Sequence, residues 1–449
     1  MTTAKTYRGR STGHSGGLAR PRLVTNRRVW GTTGLVIFLY IVNYADKAVL
    51  GIIAQPLARE LDFTASQIGL VGSLFYLAFT IGGFLAGPLN RYLTLKWALL
   101  VVALIWSVVM LPLVLAASFA VLVASRMLLG LSEGPATALM HTAAYSWHPP
   151  AKRGLVTALL GSSASVAKIV IAPILAFVTI EYGWRVAILV LSGLGALWAV
   201  CWLIGWTEGP HIAKTVEAED SVPAQATGDA SPTQPSVPWR RIFLSRTFVT
   251  CALLAMALYA LTTVVLTWLP SYFELGLGYT ALQAGSLFAL PSVVALVTMI
   301  ASGAITDRLI QRGVGSRVAR IVIASAGVLV CGAVLVTLPL IEVPVVAVVV
   351  LSLGYGSALI ALPLIHSAVS ELCPPQQTAG TMGMYLALMG IGGLIAPYAT
   401  GVVVEHAATA ADGYALAFQG VGIFVAIGGI LILLFANPER DRLLICRTP

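Results

Sequence analysis

Long apolar runs, separated by short polar stretches, form the main pattern of this sequence. Runs of about 20 or more residues, the length a helix needs to cross the hydrocarbon core of a bilayer, recur along the whole chain. They predict twelve transmembrane helices, numbered here as spans 1 to 12, at residues 30–54, 66–89, 97–117, 119–145, 154–181, 184–206, 247–272, 280–306, 318–340, 343–370, 378–404 and 414–436. The pattern therefore predicts an all-α membrane protein.

One polar stretch, between spans 6 and 7, is much longer than the others. It is rich in Pro, Ala, Thr and acidic residues and shows no apolar period, which is typical of a solvated linker. On either side of it, APILAFVTIEY from Ala172 and APYATGVVVEH from Ala396 share Ala, Pro, Val and Glu at equivalent positions. Such internal repetition predicts two pseudo-symmetric six-helix halves. The predicted units are a disordered N-terminal tail at 1–29, an N-terminal half at 30–206, a linker at 207–246, a C-terminal half at 247–436 and a C-terminal tail at 437–449.

Composition agrees with this class and excludes others. Of the 449 residues 58% are hydrophobic and only 10% are charged, whereas soluble domains are about a quarter charged. The net charge of +9 does not indicate nucleic-acid binding, because seven of the 27 basic residues lie in the first 28 positions, where Tyr7 is the only aromatic residue. Basic residues also dominate the loops on the side of the chain ends, which predicts cytoplasmic termini in a bacterial inner membrane.

The spans contain no catalytic or metal-binding motif. The five cysteines are scattered without CxxC spacing, so neither a metal site nor a disulfide framework is predicted. Neither HExxH nor a phosphate-binding loop occurs, and the GxSxG matches that begin at Gly9 and Gly13 lie in the predicted disordered tail. We therefore expect no enzyme activity and no cofactor; the expected partners are a small solute, protons and lipid, and the expected state is a monomer.

Five charged residues interrupt the apolar runs, all of them in the first half. A charge at the centre of a bilayer costs about 2.5–3.5 kcal/mol, so such residues face the bundle interior and usually serve function. Helical spacing puts Asn43 and Tyr44 of span 1 on one face with Lys47, and puts Arg126 and Glu133 of span 4 two turns apart on one face. The five charges are Asp46, Lys47, Arg126, Glu133 and Lys168.

GAITDRLIQRG, from Gly303 in the loop between spans 8 and 9, resembles the G-x-x-x-D-R-x-x-x-R-G signature of the major facilitator superfamily. The resemblance implies a fold of two six-helix halves around a central cavity that spans 1, 4, 7 and 10 line. The corresponding first-half loop, GPLNRYL from Gly87, has Asn where the signature has its acid. The resemblance assigns conformational gating to Asp307, Arg308, Arg312, Asn90 and Arg91.

A second, narrower resemblance is to the anion:cation symporter family, which includes bacterial sugar-acid transporters and the vesicular glutamate and sialic acid carriers. NYADKAVLG in span 1, RMLLGLSEGPATALM in span 4 and SWHPPAKRG after it carry this resemblance. Lys47 departs from the pattern, which usually has Arg there. The matching residues are Asn43, Tyr44, Asp46, Arg126, Gly130, Glu133, Trp147, Pro149, Arg153 and Gly154.

We expect Lys47 to bind a substrate anion and Asp46 and Glu133 to carry protons. Arg126 is expected to orient Glu133 and to tune its affinity for the proton. Proton and anion then reduce each other's cost of burial, which is the physical basis of symport. The further expected substrate contacts are Tyr44, Asn43, Lys168, Ser165, Tyr259, Thr263, Tyr355, Ser357 and Tyr385.

Three of these expectations have open alternatives. Lys168 either pairs with an acid or snorkels along its helix, or it forms a second cationic contact that would suit a dicarboxylate. The small and aromatic residues among the contacts can equally serve helix packing. His141 and His366 either titrate at physiological pH or are packed as neutral side chains.

The predicted function is a proton-coupled symporter that imports a small organic anion by alternating access. A carboxylate is expected, with sugar acids, aromatic acids and dicarboxylates all open. An exporter or exchanger on the same fold is the first alternative, and a sensor that binds its ligand without transport is the second.

Overall fold

The computed structural model of the chain describes residues 26–149, 153–207, 209, 237–315, 317–374 and 377–446. All regular elements in these residues are helical, and twelve helices are long and apolar enough to cross a membrane. The twelve predicted spans are thus confirmed and keep their numbers. Most of the predicted N-terminal tail and linker, and residues 447–449, lie outside the described residues.

Several spans consist of more than one helical segment. Spans 1 to 6 are Asn26–Leu61; Ala65–Gly83; Leu95–Val109 with Leu111–Leu115; Phe119–Glu133 with Ala136–Tyr145; Arg153–Val166 with Ala167–Ile171 and Ala172–Tyr182; and Trp184–Gly205. Spans 7 to 12 are Arg246–Ser271 with Tyr272–Gly276; Ala281–Leu287 with Leu290–Gln311; Arg317–Val322 with Ile323–Thr337 and Leu338–Leu340; Pro344–Leu359 with Ala361–Ser370; Thr378–His406; and Ala410–Phe435. Three short helices lie outside the spans: Ala86–Tyr92, Trp239–Phe243 and Pro438–Cys446.

Span 1 differs most from its predicted bounds. The sequence pattern ends it at residue 54, before Gln55 and Pro56, but the helix continues to Leu61. Leu57 in this extension is fully buried, so packing against neighbouring spans carries the helix past the proline.

Within the predicted C-terminal tail, Asp441 accepts hydrogen bonds from the amide and the hydroxyl of Thr247 at 2.9 and 2.7 Å. These bonds attach the last short helix to the start of span 7.

Two spans are broken next to predicted site residues, and a proline explains each break. Span 4 is interrupted at Pro135, whose missing N–H and ring are incompatible with a continuous helix, so its first segment ends at Glu133. In span 5 a π-helical turn at Ala167–Ile171 precedes Pro173. The wider turn accommodates the ring of the proline, and turns of this kind often occur at functional sites. Lys168 lies on this turn.

Glycines bring spans 2 and 4 into close contact. A Cβ atom at Gly130 would lie 2.3 Å from the carbonyl oxygen of Phe75, and one at Gly82 would lie 2.1 Å from that of Leu131. No larger residue could occupy either position without moving a backbone, which is the usual reason for small residues between membrane helices. The close packing fixes the position of the span-4 segment that carries the intramembrane charges.

The buried apolar side chains form two main clusters, one mostly from spans 1 to 6 and one mostly from spans 7 to 12. Since the number of spans is even, Asn26 and Cys446 lie on the same face of the bundle, called here the terminal face. Direct contacts join the two clusters at the opposite face. Arg59, at the end of span 1, is 2.7 Å from Glu274, at the end of span 7, and the Ser66 amide donates to the Glu405 carboxylate at 3.0 Å.

Candidate functional site

A buried ion pair joins spans 1 and 4 near the middle of the bundle. Nζ of Lys47 lies 3.1 Å from Oε2 of Glu133, and the glutamate side chain is completely inaccessible to solvent. The ammonium also donates a hydrogen bond to Oδ1 of Asn43, one turn earlier on span 1. The structure therefore brings Asn43, Lys47 and Glu133 together, although neither carboxylate oxygen of Glu133 accepts a well-aligned hydrogen bond from the described residues.

Aromatic rings enclose the ammonium of Lys47. Its Nζ lies 4.8 Å from the ring centroid of Tyr44 and 4.9 Å from that of Phe79 on span 2. Both distances are within the range of a cation–π interaction. Tyr44 was expected at the site. Phe79 was not, because one aromatic residue in an apolar span carries no sequence signal that separates it from packing residues.

Arg126 contacts span 1 through a main-chain oxygen and packs on an aromatic ring of span 2. Its Nη1 donates to the main-chain oxygen of Asp46 at 2.9 Å, and the guanidinium carbon lies 4.7 Å above the ring of Phe75. Arg126 and Glu133 are seven residues apart, a rise of roughly 10 Å along a helix. The ion pair of Glu133 is with Lys47 instead. A role of Arg126 in tuning the proton affinity of the site stays a prediction.

Asp46 is buried without a close partner for its side chain. It is 5% exposed, and no described residue donates a hydrogen bond to its carboxylate. Consecutive residues of a helix point about 100° apart, so Asp46 does not share the ion-pair contact that Lys47 makes with Glu133. Of the two predicted proton carriers, Glu133 is thus paired with a cation, whereas Asp46 is held only through its main chain.

Lys168 is also buried, but its surroundings differ from those of Lys47. It is 6% exposed, and no ion pair to an acid is found for it among the described residues. Its Nζ lies 5.7 Å from the ring centroid of Tyr355 on span 10. A cation–π contact contributes about 0.5–2 kcal/mol, less than the about 2.5–3.5 kcal/mol that an intramembrane charge costs. In this conformation Lys168 is therefore incompletely compensated.

Tyr259 and Thr263 of span 7 lie where the second half approaches the first. The ring of Tyr259 packs edge-on against that of Tyr76 on span 2, with centroids 5.8 Å apart. The Thr263 hydroxyl donates to the carbonyl of Ala260 in its own helix at 3.0 Å. Tyr259 is thus at the interface of the halves, whereas the hydroxyl of Thr263 is already hydrogen-bonded.

Two other predicted contacts lie within the second half. Ser357 donates to the carbonyl of Gly327 on span 9 at 2.9 Å, so it joins spans 9 and 10. The ring of Tyr385 packs against those of His366 at 5.3 Å and Phe248 at 6.5 Å. Ser165 is half-buried on span 5, one helical turn before Lys168. The structure does not bring Ser357 or Tyr385 into contact with Lys47, and their role in substrate binding stays a prediction.

The predicted gating residues lie at the terminal face. Arg308 and Arg312 are exposed at the end of span 8. The side chains of Asp307, Asn90 and Arg91 lie outside the described residues. Their gating role stays a prediction.

Comparison with known proteins agrees with this architecture. A sequence profile of the Major Facilitator Superfamily matches residues 36–397. A probable sulfoacetate transporter of Cupriavidus necator is 27% identical, over 90% of this chain and 93% of its own. A hexuronate transporter of Bacillus subtilis is 25% identical (90% and 94%) and a probable galactarate/D-glucarate transporter of Escherichia coli is 27% identical (91% and 94%).

Solved structures show the same fold at lower identity. A bacterial homolog of the human lysosomal transporter Spinster, in an inward-facing and occupied conformation, superposes with a TM-score of 0.76 at 15% identity and covers 95% of this chain and 100% of its own. A D-xylose–proton symporter superposes with a TM-score of 0.73 at 14% identity, covering 92% and 99%. With the twelve spans and the profile match, they show that the chain belongs to the Major Facilitator Superfamily, as predicted, and is a membrane transporter rather than an enzyme.

Proposed function

We propose that the protein is a proton-coupled symporter that imports a small organic anion, a carboxylate, across a bacterial inner membrane. The relatives support an organic acid as the solute, since they include a hexuronate transporter and probable transporters of galactarate/D-glucarate and sulfoacetate. The excess of basic residues in the loops of the terminal face supports cytoplasmic termini. We also propose that the protein acts as a monomer and that the proton gradient, without a cofactor, drives transport.

The ion pair between Lys47 and Glu133 is the observation that carries this proposal. A substrate carboxylate and the Glu133 carboxylate are chemically equivalent partners for the Lys47 ammonium, so they compete for it. When Glu133 accepts a proton the pair is lost, and Lys47 becomes available to the substrate. An ammonium is a compact point charge, so it can exchange one carboxylate for another without the fixed fork geometry of a guanidinium.

Charge balance explains why proton and anion move together. The empty site contains the Lys47 cation and the Glu133 anion, and the loaded site contains the cation, a neutral Glu133 and the substrate anion. Both states are neutral at this pair. Substrate without the proton, or proton without substrate, leaves an uncompensated charge in a low-dielectric interior, which is costly. The carrier therefore changes conformation readily only when it is empty or fully loaded. Asp46 is proposed as a second protonation site.

The contacts between the halves support alternating access by rocking. A Cβ atom at Gly51, one turn beyond Lys47 toward the opposite face, would lie 2.4 Å from the main-chain oxygen of Leu266 on span 7. Together with the Arg59–Glu274 contact, this approach closes the opposite face of the bundle. Release of these contacts, with closure at the terminal face, would expose Lys47 to the other side.

Uptake by the purified protein in proteoliposomes tests the proposal. The probes are labelled galactonate, galactarate, glucuronate, sulfoacetate and benzoate, each offered with an imposed inward proton gradient. We expect at least one anion to accumulate above its external concentration and a protonophore to abolish the accumulation. Exchange of internal for external anion without gradient-driven accumulation would identify an exchanger instead. Accumulation that is insensitive to the protonophore would refute proton coupling.

A further inference from the structure

Lys168, the second buried lysine, has no role in the proposed competition between Glu133 and the substrate for Lys47. We propose that Lys168 and Tyr355 form a second anion subsite, so that the preferred substrate is a small dianion whose two acidic groups bind Lys47 and Lys168. This inference rests on the proposed function, because it assigns the far end of the same substrate. The inference predicts that dicarboxylates and sulfo-carboxylates bind more tightly than monoanionic sugar acids and aromatic acids.

Lys168 differs from the other buried cations, Lys47 and Arg126, in the groups that it contacts. Lys47 has the carboxylate of Glu133, and Arg126 has the main-chain oxygen of Asp46. For Lys168, the described part of the chain provides an aromatic ring, 5.7 Å from Nζ, and no carboxylate within ion-pair distance. A buried ammonium without an anionic partner is stabilised by an anion supplied from elsewhere. A solute that carries negative charge into the bundle supplies it.

The position of Lys168 brings it to the interface between the halves. Its π-helical turn is in span 5 of the first half, whereas Tyr355 is in span 10 of the second. Tyr355 is 1% exposed, and its hydroxyl has no hydrogen-bond partner among the described residues. The Tyr355 hydroxyl, which has no well-aligned hydrogen bond, and the Lys168 ammonium are both donors that an oxyanion can use.

The two lysines lie on neighbouring elements, because span 1 packs against the π-helical turn that carries Lys168. Lys47 lies over the ring of Tyr44, and Lys168 lies over the ring of Tyr355. Each ammonium thus has its own aromatic neighbour, and the proposed substrate joins the two subsites. A dianion that spans the pair neutralises both cations, whereas a monoanion leaves one of them unpaired.

Matched pairs of anions on one carbon skeleton test this assignment by isothermal titration calorimetry. The pairs are galactonate and galactarate, glycolate and sulfoacetate, and butanoate and succinate, in which the first member has one acidic group and the second has two. We expect the protein to bind the dianion of at least one pair tenfold or more tighter than its monoanion. In Lys168→Gln and Lys168→Met this ratio should fall at least tenfold, and in Lys168→Arg it should persist.

The controls separate a specific loss from a general one. Lys96→Gln removes a lysine that donates to a main-chain carbonyl near the terminal face, and it should keep the wild-type ratio. Lys168→Gln and Lys168→Met differ in polarity, so the test can still be read if one of them misfolds. Size-exclusion chromatography shows whether each variant is folded. A ratio near one in the wild type, or a ratio unchanged by loss of Lys168, overturns the dianion inference. If monoanions still accumulate with protons in that case, the proposed function stands; if neither the six anions nor glucuronate and benzoate bind, both fall.

Discussion

Nζ of Lys47 and Oε2 of Glu133 are 3.1 Å apart in a part of the bundle that excludes solvent. The contact joins two spans through opposite charges, and the same ammonium is the expected partner of the substrate. Under the proposed competition for this ammonium, the protonation state of one glutamate controls whether the substrate's binding group is occupied. The affinity for the anion, and not only the rate of transport, should then depend on pH.

Glu133→Gln should remove the pH dependence of anion binding. In the wild type, affinity should rise as the pH falls, because protonation of Glu133 releases Lys47. A glutamine is permanently uncharged, so the variant should bind at every pH about as tightly as the wild type does at low pH. We expect a gain of about tenfold at high pH, equivalent to about 1.4 kcal/mol, measured by calorimetry with the anion that accumulates best.

The matched control for this variant is Glu181→Gln, which neutralises an exposed acid at the end of span 5. It should keep the wild-type pH dependence. Glu133→Gln should also fail to accumulate anion under a proton gradient, while it still exchanges labelled for unlabelled anion. If its affinity still rose with falling pH as in the wild type, another group would control access to Lys47, and Asp46→Asn would be the next variant.

Stability provides an independent measure of the ion pair. Lys47→Met leaves the Glu133 carboxylate buried without a cation, which costs about 3 kcal/mol or more when the carboxylate is charged. The loss should shrink at low pH, where Glu133 takes up a proton. The double variant Lys47→Met/Glu133→Gln should regain much of the lost stability, because neither charge remains. Thermal unfolding in detergent of the two single variants and the double variant gives the coupling energy, expected at about 1–3 kcal/mol. Additive effects would show that the pair does not contribute in the folded protein.

Some of this site could be predicted from the sequence and some could not. The hydrogen bond from Lys47 to Asn43 follows from i,i+4 spacing on one helix, and the twelve spans follow from hydropathy. Which acid pairs with Lys47 depends on how spans 1, 2 and 4 pack, and that packing depends on glycine contacts such as the one at Gly130. The expected action of Arg126 on Glu133 was inferred from spacing along one helix, whereas the closest polar contacts of both side chains are with span 1.

The ion pair at the end of spans 1 and 7 should bias the conformational equilibrium. Arg59 and Glu274 join the halves at the opposite face, but Arg59 is largely exposed, and exposed pairs contribute about 0–1 kcal/mol. Glu274→Gln should therefore increase the population open to that face only about two- to fivefold. Alkylation of a single cysteine introduced as Ser271→Cys, in a background without native cysteines, measures the opening. Ser271 lines a cavity of about 300 Å³ between the halves at this face and is 1% exposed.

Glu60 supplies the matched control for that experiment. It accepts hydrogen bonds from Arg185 at 2.9 and 2.6 Å and from Trp184 at 2.7 Å. These contacts are at the same face as Arg59 and Glu274 but lie within the first half. Glu60→Gln should leave the alkylation rate of the introduced cysteine unchanged. Equal acceleration by Glu60→Gln and Glu274→Gln would show a general effect of surface charge rather than release of a contact between the halves.

Gly51→Ala should stop the transport cycle without destabilising the helix. A Cβ atom at this position would lie 2.4 Å from the Leu266 oxygen, so the halves could not close at the opposite face as they do here. Alanine is about 1 kcal/mol more favourable than glycine inside a helix, so the substitution itself does not weaken the helix of span 1. Gly34→Ala, on the same helix, is the matched control, since a Cβ atom at Gly34 would have no neighbouring atom within 4 Å. We expect Gly51→Ala to abolish uptake and to increase the alkylation rate of the cysteine introduced as Ser271→Cys. Gly34→Ala should change neither. Normal uptake by Gly51→Ala would mean that this approach of spans 1 and 7 is not required for transport.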